Sequence, residues 1–431
     1  MKPTFAIVTL GCKTNQFESA AMAEQLTSAG YAQQDFSAGA DLVFINTCTV
    51  TAKTDAQSRK LIRRAQRNNP RSRVVVTGCY AQVDAESLAK LSGVSLVLGN
   101  QEKHRLLEHL AKPDSAPRIA VSDLRSGAAE VAMQVDCDAQ RSRAFLQIQN
   151  GCDAFCAYCI IPYARGASRS VAPGQVNEQV QRLVAAGYQE LVLTGIHIGQ
   201  YGRDFAEKQN LLKLLQQILP HLGQARLRLG SLEPTELPAD LLAYLTENRQ
   251  ICPHFHIPLQ AGHNRILKEM NRSYSCEFFG NLLGNIRASQ PSAGLGTDVI
   301  VGFPGETDEE FEQTFQFVQS LPLSYLHVFP YSPRPGTPAA QLPCQVPAEI
   351  VKNRATRIRQ LGAEKLREFS LTFVGKHLEI IPEPGLERSH MNSVADNYLT
   401  VKMDYDPELL GRRTRVEITG YGSEGLQGKL V

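Results

Sequence analysis

No tryptophan occurs among the 431 residues, so no site here rests on an indole. No run of about 18 apolar residues exists, and no membrane span is expected. Neither sign of charge dominates: 45 Lys+Arg stand against 43 Asp+Glu, so overall charge identifies no partner. The start, "MKPTFAIVTLGC", is apolar for only a few residues and runs into a strand-like pattern. It is not read as a signal peptide. A cytosolic (cytoplasmic) location follows as the expectation, and thiols stay reduced there. What the chain does have is cysteine: ten of them, which in that compartment point to metal or redox work more than to disulfides. At 43% hydrophobic it can bury ordinary cores. The length suits two or three domains of roughly 100–200 residues.

Residues 1–110 carry three β-branched runs, "FAIVTL", "DLVFINT" and "RVVVTG", each reading as a buried parallel strand. Helical patterns follow at 16–29, 53–68 and 82–91. The alternation predicts a small doubly wound α/β domain. Each run ends at a cysteine: Cys12, Cys48 and Cys79. Parallel neighbours deliver their carboxyl ends to one sheet edge, where such folds bind ligands. The three thiols are therefore expected to converge as a cluster or metal site, although a free cysteine also packs well as a small hydrophobe.

Residues 111–142, with Pro113, Pro117 and Gly127, read as a connector that carries at most one strand. From 143 to 370, strand candidates "AFLQIQ", "ELVLTG", "RLRLGS", "HFHIPL", "GTDVIVG" and "YLHVFP" alternate with helical stretches near 175–186, 209–219, 238–247, 275–289 and 307–319. This predicts a partial (β/α)6 parallel barrel with its chemistry at the carboxyl ends of the strands. The turns "TGIHIGQYG", "GSLEPTE", "PLQAGHN" and "GFPGETD" fall there.

Just after the first of these strands, "NGCDAFCAYCIIPYARG" sets Cys152, Cys156 and Cys159 at Cys-x3-Cys-x2-Cys spacing. Zinc motifs offer paired ligands, and no nearby His or Cys completes a fourth here. A 4Fe-4S cluster held by three thiolates keeps one iron open. S-adenosylmethionine could chelate that iron through its amino and carboxylate groups, and one electron could cleave it to a 5′-deoxyadenosyl radical. Tyr158 could pack by the adenine.

The motif resembles that of radical S-adenosylmethionine enzymes, and with the upstream cysteines the chain resembles their methylthiotransferase family. "TLGCKTNQFESA", "NTCTVTAKTDAQSRK" and "VVTGCYAQ" are similar to the family's N-terminal domain. "GCDAFCAYCIIPYARGASRS", "LTGIHIGQYG", "SLEPTE", "HIPLQAG", "TDVIVGFPGET" and "FPYSPRPGTPA" are similar to its radical domain. The resemblance implies that Cys152, Cys156 and Cys159 hold the radical-generating cluster. It implies that Cys12, Cys48 and Cys79 hold an auxiliary 4Fe-4S cluster whose open iron could carry sulfide or methylsulfide. It places Gly195, Ser231 and Glu233 on the rim beside the cofactor. One S-adenosylmethionine would supply the methyl group and another the radical, drawn from an electron donor of flavodoxin or ferredoxin type.

Residues 371–431 are short and strand-rich ("FVGKHLEIIPE", "NYLTVKMD", "TRVEITGYG") and resemble the family's RNA-binding TRAM module, a small all-β domain; a capping or dimerising β domain is the alternative. This segment carries 7 Lys+Arg and 9 Asp+Glu, so phosphate binding would rest on patches such as "GRRTR". A stronger basic signal is "RKLIRRAQRNNPRSR", where Arg59, Arg63 and Arg67 share a helix face able to track RNA, unless the run is simply a solvated helix face. "KNRATRIRQ" at 352–360 reads as part of a long helix closing the barrel. Cys137, Cys252, Cys276 and Cys344 show no shared spacing and are read as structural, and His254 and His256 as strand residues rather than metal ligands.

"LGCKTNQFES", "NTCTVT" and "SLEPTE" resemble the branch that acts on threonylcarbamoyladenosine beside the tRNA anticodon. The implied reaction replaces adenine's C2 hydrogen by a methylthio group on the anticodon stem–loop. Isopentenyladenosine in tRNA or an aspartate of a ribosomal protein are the alternatives within the family. A non-catalytic iron–sulfur RNA-binding sensor is the alternative outside it, and an N-terminal cluster used only for electron transfer is intermediate.

Overall fold

The computed structural model describes residues 2–112, 117–124, 133–135, 141–384, 390–423 and 425–431. Its first sheet is six-stranded and parallel throughout, in the order Ala32–Gln33, Thr4–Thr9, Leu42–Thr47, Arg73–Gly78, Val94–Leu98, Arg118–Ala120. All six residues of Leu42–Thr47 are buried, as a central strand covered on both faces requires. Successive residues alternate between two cores. Val43, Ile45, Val74 and Val76 pack on Ile62 and Ala65 of helix Ala52–Asn68. Phe44, Val75, Leu96 and Leu98 pack on Met22 and Leu26 of helix Lys13–Ser28. Helices on both faces make the unit doubly wound, the expected class.

The structure adds the strands Ala32–Gln33, Val94–Leu98 and Arg118–Ala120 to the three expected ones. The last comes from the expected connector and extends the sheet edge. Cys137, Pro113 and Gly127 lie outside the described residues.

The central unit is the expected partial barrel, built from two parallel three-stranded sheets. Ala144–Gln147, Glu190–Thr194 and Arg226–Leu229 form one; His254–His256, Gly294–Val301 and Tyr325–Pro330 form the other. The seam between them is closed by Leu227, whose N–H donates to Gln250 O at 2.7 Å and whose carbonyl accepts from Cys252 N at 2.8 Å. Helices cover the outside and bury one large apolar core that includes Val180, Leu215, Phe279 and Val318. Local sequence sets their ends. Thr307 caps helix Asp308–Ser320 through a capping box with Glu310. Helix Ala348–Leu371 lies along the last strand, with Gly362 against Leu326. Its basic run is spent on the barrel: Arg354 pairs with Glu306 at 2.6 Å and Asp308 at 2.7 Å, and Arg357 with Glu312 at 2.8 Å.

The C-terminal unit is a closed five-stranded barrel in the order His377–Pro384, His390–Ala395, Thr400–Asp404, Gly425–Leu430, Thr414–Gly422. Leu378, Ile380, Met391, Val401, Val416 and Ile418 fill it. It docks beneath the amino ends of the central strands. There Glu190 is fully buried and accepts from Arg226 Nε at 2.7 Å and Arg228 Nε at 2.7 Å. The same guanidiniums donate to carbonyls of the C-terminal barrel: Arg226 to Glu379 at 3.1 Å, Arg228 to Ala395 and Asp396 at 2.9 Å. Among the described residues no helix is long and apolar enough to cross a membrane.

Candidate functional site

The first sheet delivers its cysteines through glycine turns. Cys12 is the N-cap of helix Lys13–Ser28 and follows Gly11, whose φ is +100°. A Cβ on Gly11 would lie 2.8 Å from Cys48 Cβ and 3.0 Å from its sulfur, so only glycine lets the two loops touch. Gly78 has φ +95° and comes just before Cys79; a Cβ there would stand 2.3 Å from Thr47 O. Thr47 pairs in register with Gly78, so Cys48 and Cys79 leave adjacent strand ends together.

All three sulfurs share one electrostatic neighbourhood. Burial pushes the Cys48 thiol up to about 12, and the nearby Cys79 and, more weakly, Cys12 push the same way. The three cysteines are free thiols. Cys48 and Cys79 are buried and Cys12 is exposed; three neighbouring thiols of this kind are suited to a cation that stabilises thiolates.

Cys152, Cys156 and Cys159 sit in the loop after Gln149–Asn150, at the carboxyl end of the first barrel strand. Cys152 N donates to Gly166 O at 2.9 Å, and Cys159 N to Cys156 O at 2.9 Å. Gln149 organises the loop. Its Nε2 donates to Gly151 O at 2.7 Å and Ser168 Oγ at 2.9 Å, while its Oε1 accepts from His197 N at 2.7 Å. Burial pushes Cys159 up to about 12, and Cys156 and Cys152 add to it. This trio too fits a cationic iron site on its donor chemistry.

The four rim residues fall in different places. Tyr158 is half-buried against Ala261, Ile266 and Phe303. Glu233 pairs with Arg272. Ser231 Oγ lies 2.7 Å from His256 Nδ1, facing the barrel interior. Gly195 packs tightly: a Cβ would meet Ile198 Cγ2 at 2.7 Å and Gln149 O at 2.8 Å.

Three residues that sequence reasoning missed join these groups. Arg272 Nη1 donates to Cys156 Sγ at 3.1 Å while its other arm pairs with Glu233 and its plane lies 5.1 Å from the Tyr274 ring. His197 places Nδ1 3.4 Å from Cys152 Sγ and Nε2 2.9 Å from Glu236 Oε1. Burial would lower its pKa, but the Cys152 and Glu236 contacts hold it up at about 9. Arg165, six residues past Cys159, crosses to the first sheet and binds Glu18 and Asn15 there. The only sequence hint for His197 was its place in "TGIHIGQYG".

Inside the central barrel the lining is polar. Tyr398, from the C-terminal barrel, stacks on His254 with centroids 4.3 Å apart. Lys13, next to Cys12, sets its Nζ 5.7 Å from the Tyr398 ring. His256, Asp298 and His327 bring one ligand atom each within 4.8 Å of one another. His256 thus lines its strand, as expected, and also joins this trio.

The basic helix is divided in use. Arg59 turns inward, donating to Tyr80 Oη at 2.8 Å, and Arg64 lies 5.4 Å from the Phe36 ring. Arg63 and Arg67 are exposed. In "GRRTR", Arg413 is spent on docking: Nη1 donates to Gln224 O at 2.9 Å.

Residues 4–99 match the uncharacterized protein family UPF0004, and residues 146–318 match the Radical SAM superfamily. The Threonylcarbamoyladenosine tRNA methylthiotransferase MtaB of Bacillus subtilis (strain 168) is 39% identical, covering 99% of this chain and 96% of that one. Its namesake in Aquifex aeolicus (strain VF5) is 38% identical over 96% of this chain and 99% of that one. The tRNA-2-methylthio-N(6)-dimethylallyladenosine synthase of Pelotomaculum thermopropionicum (strain DSM 13744 / JCM 10971 / SI) is 33% identical over 99% and 97%. Among solved structures, the radical S-adenosylmethionine methyltransferase TsrM of Kitasatospora setae shares the fold, with TM-score 0.57 at 15% identity, covering 79% of this chain and 77% of that one.

Proposed function

The chain belongs to the methylthiotransferases of the radical S-adenosylmethionine superfamily, and from that premise we propose that it replaces the C2 hydrogen of threonylcarbamoyladenosine in tRNA with a methylthio group. Full-length likeness to relatives named for that nucleoside supports this choice of substrate. It is a transferase that uses 4Fe-4S clusters and S-adenosylmethionine. When bound, these groups supply the electron, the methyl group, the sulfur and the means of breaking an aromatic C–H bond.

In this proposal Cys152, Cys156 and Cys159 hold one cluster and Cys12, Cys48 and Cys79 the other. The observation that supports it is that Arg165, just past the second three-thiol set, binds Glu18 and Asn15 on the helix that follows Cys12 of the first. Arg272 and His197 fix the orientation of the Cys156 and Cys152 sulfurs. Glu233 holds Arg272 in place, and Tyr158 and Gly195 shape the wall on which the cofactor lies. Ser231 fixes the His256 ring on the substrate side. The C-terminal barrel and the exposed face of helix Ala52–Asn68 receive the anticodon stem–loop, with the target base turned out of its stack. A small flavodoxin- or ferredoxin-type donor supplies electrons, and the enzyme works in the cytoplasm, where tRNA is found.

Mass spectrometry of tRNA nucleosides from a deletion strain tests the reading. Methylthio-threonylcarbamoyladenosine is expected to vanish and its unmethylthiolated precursor to accumulate. Persistence of the methylthiolated nucleoside, with no second enzyme present, overturns it.

A further inference from the structure

We propose that Lys13, His256, Asp298 and His327 form the subsite that takes the polar arm on adenine N6, a substituent bearing a carboxylate, a hydroxyl and a urea group. This rests on the substrate reading above and adds to it the residues that select that substrate.

The four groups line one wall of the barrel interior. Lys13 projects from the first sheet's helix over Tyr398, and among the described residues it makes no ion pair. Its charge reaches His327, which also feels His256 and Asp298. The His256 and His327 rings are 5.6 Å apart, and His256 Nε2 lies 3.1 Å from Asp298 Oδ1. Ser231 on Nδ1 fixes the His256 ring. Chain neighbours connect this wall to both thiol sets. Lys13 follows Cys12 directly, and Ser231 is two residues from Glu233, whose partner Arg272 touches Cys156. A nucleoside reached from both thiol sets therefore presents its N6 arm to these four groups.

Their chemistry matches such an arm. Lys13 feels Arg228, Arg143 and the Glu190 carboxylate but forms no ion pair among the described residues, and its ammonium takes the arm's carboxylate. Asp298 accepts from a hydroxyl or a urea N–H, and an imidazole N–H donates to the urea carbonyl. An apolar isopentenyl arm in the same place would strip water from an ammonium and a carboxylate and return no hydrogen bond. The wall therefore rejects the apolar arm as well as accepting the polar one.

The test uses the anaerobically reconstituted enzyme and three synthetic anticodon stem–loops, carrying threonylcarbamoyladenosine, isopentenyladenosine or unmodified adenosine. Binding is read by fluorescence anisotropy and iron is counted on every variant. The wild-type protein is expected to prefer the threonylcarbamoyl RNA. Lys13→Met and His327→Leu are expected to lose that preference by about ten-fold with iron content unchanged, and Lys13→Arg to keep most of it. Full preference retained in both Lys13→Met and His327→Leu overturns the subsite. Loss of wild-type preference on chelation, with the cluster iron retained, also overturns it, because a divalent cation on the His256–Asp298–His327 trio would then be making the contact. A wild-type protein that prefers the isopentenyl RNA overturns the substrate reading itself.

Discussion

Arg165 and Glu18 lie 147 residues apart in sequence, yet both guanidinium η nitrogens reach the one carboxylate, with Nη2 3.2 Å from Oε2. Lys103 Nζ donates to the same carboxylate at 2.5 Å, and Arg165 also reaches Asn150 Oδ1 at 3.1 Å. All three side chains of this triad are buried. The network joins the sheet that carries Cys12, Cys48 and Cys79 to the loop that carries the other trio. Removing Arg165 leaves Glu18 paired with Lys103 alone and takes the donor from Asn15 and Asn150. Arg165→Met is expected to destabilise the protein by about 1.5–3 kcal/mol, read as a lowered urea midpoint. A midpoint equal to wild type would mean that the two units do not depend on this contact.

The same carboxylate sets an acid limit. Burial alone would raise the Glu18 pKa, but Arg165 and Lys103 outweigh it and hold it at about 2. An unfolded glutamate titrates near roughly 4.3. A depressed folded value contributes stability that is fully present above the unfolded pKa and is lost as pH falls towards about 2. In acid titrations followed by circular dichroism on iron-free chain, Glu18→Gln is expected to flatten the loss over that window. Parallel curves for the two proteins would remove Glu18 from the account.

The sequence shows the parts whose signal is periodic. Buried parallel strands announce themselves as β-branched runs, so Cys12, Cys48 and Cys79 at their ends were visible, as was the close spacing of Cys152, Cys156 and Cys159. Strand Ala32–Gln33 was not, because two residues carry no period. Arg272 was not, because its contact with Cys156 spans 116 residues and rests on one loop side chain. Charge runs misled in a consistent way. Arg59 and Arg413 read as cations free for RNA but are consumed by Tyr80 and Gln224. Local composition cannot tell a cation that faces solvent from one that a distant partner takes up.

Under the proposed assignment each thiol set holds its own iron. Reconstituted wild-type protein is expected to hold about eight irons, and Cys79→Ala and Cys159→Ala about four each. Cys79→Ala is expected still to form 5′-deoxyadenosine from S-adenosylmethionine but to give no methylthiolated RNA. Cys159→Ala is expected to form neither. Equal loss of 5′-deoxyadenosine in both variants would refute separate roles for the two sets.

Arg272 holds the Cys156 sulfur from outside the three-thiol set, standing between Cys156 and Glu233. Replacing such a partner typically costs 10–100-fold in metal affinity or activity. Arg272→Ala is expected to slow 5′-deoxyadenosine formation within about that range, with Arg272→Lys recovering only part, since an ammonium lacks the planar fork that serves both neighbours. Unchanged turnover in the alanine variant would make Arg272 a packing residue.

Glu190 anchors the C-terminal barrel through the two arginines that it neutralises. Burial opposes its charge, yet Arg228 and Arg226 hold its pKa far below the usual carboxylate range. Glu190→Ala strands both guanidiniums beneath the central barrel while they still donate to Glu379, Ala395 and Asp396 carbonyls. Loosened docking is expected, read by limited proteolysis in the turn 372–376 that leads into strand His377–Pro384. A wild-type digestion pattern would show that the apolar contacts of Phe369 and Phe373 suffice.

RNA binding should carry the signature of a few phosphate contacts rather than of net charge, because the chain as a whole is nearly balanced. On helix Ala52–Asn68 the exposed cations are Lys53, Lys60, Arg63, Arg64 and Arg67, and Arg59 is not among them. Each phosphate contact contributes about 0.7–0.9 to the slope of log K against log salt. Arg63→Ser with Arg67→Ser is therefore expected to lower the slope for tRNA by about 1.4–1.8 and to weaken threonylcarbamoyl and unmodified stem–loops alike. Arg59→Ser removes a hydrogen bond to Tyr80 instead, so it is expected to leave the slope unchanged and lower thermal stability slightly. An unchanged slope in the double variant would free this helix from RNA contact and leave binding to the C-terminal barrel alone.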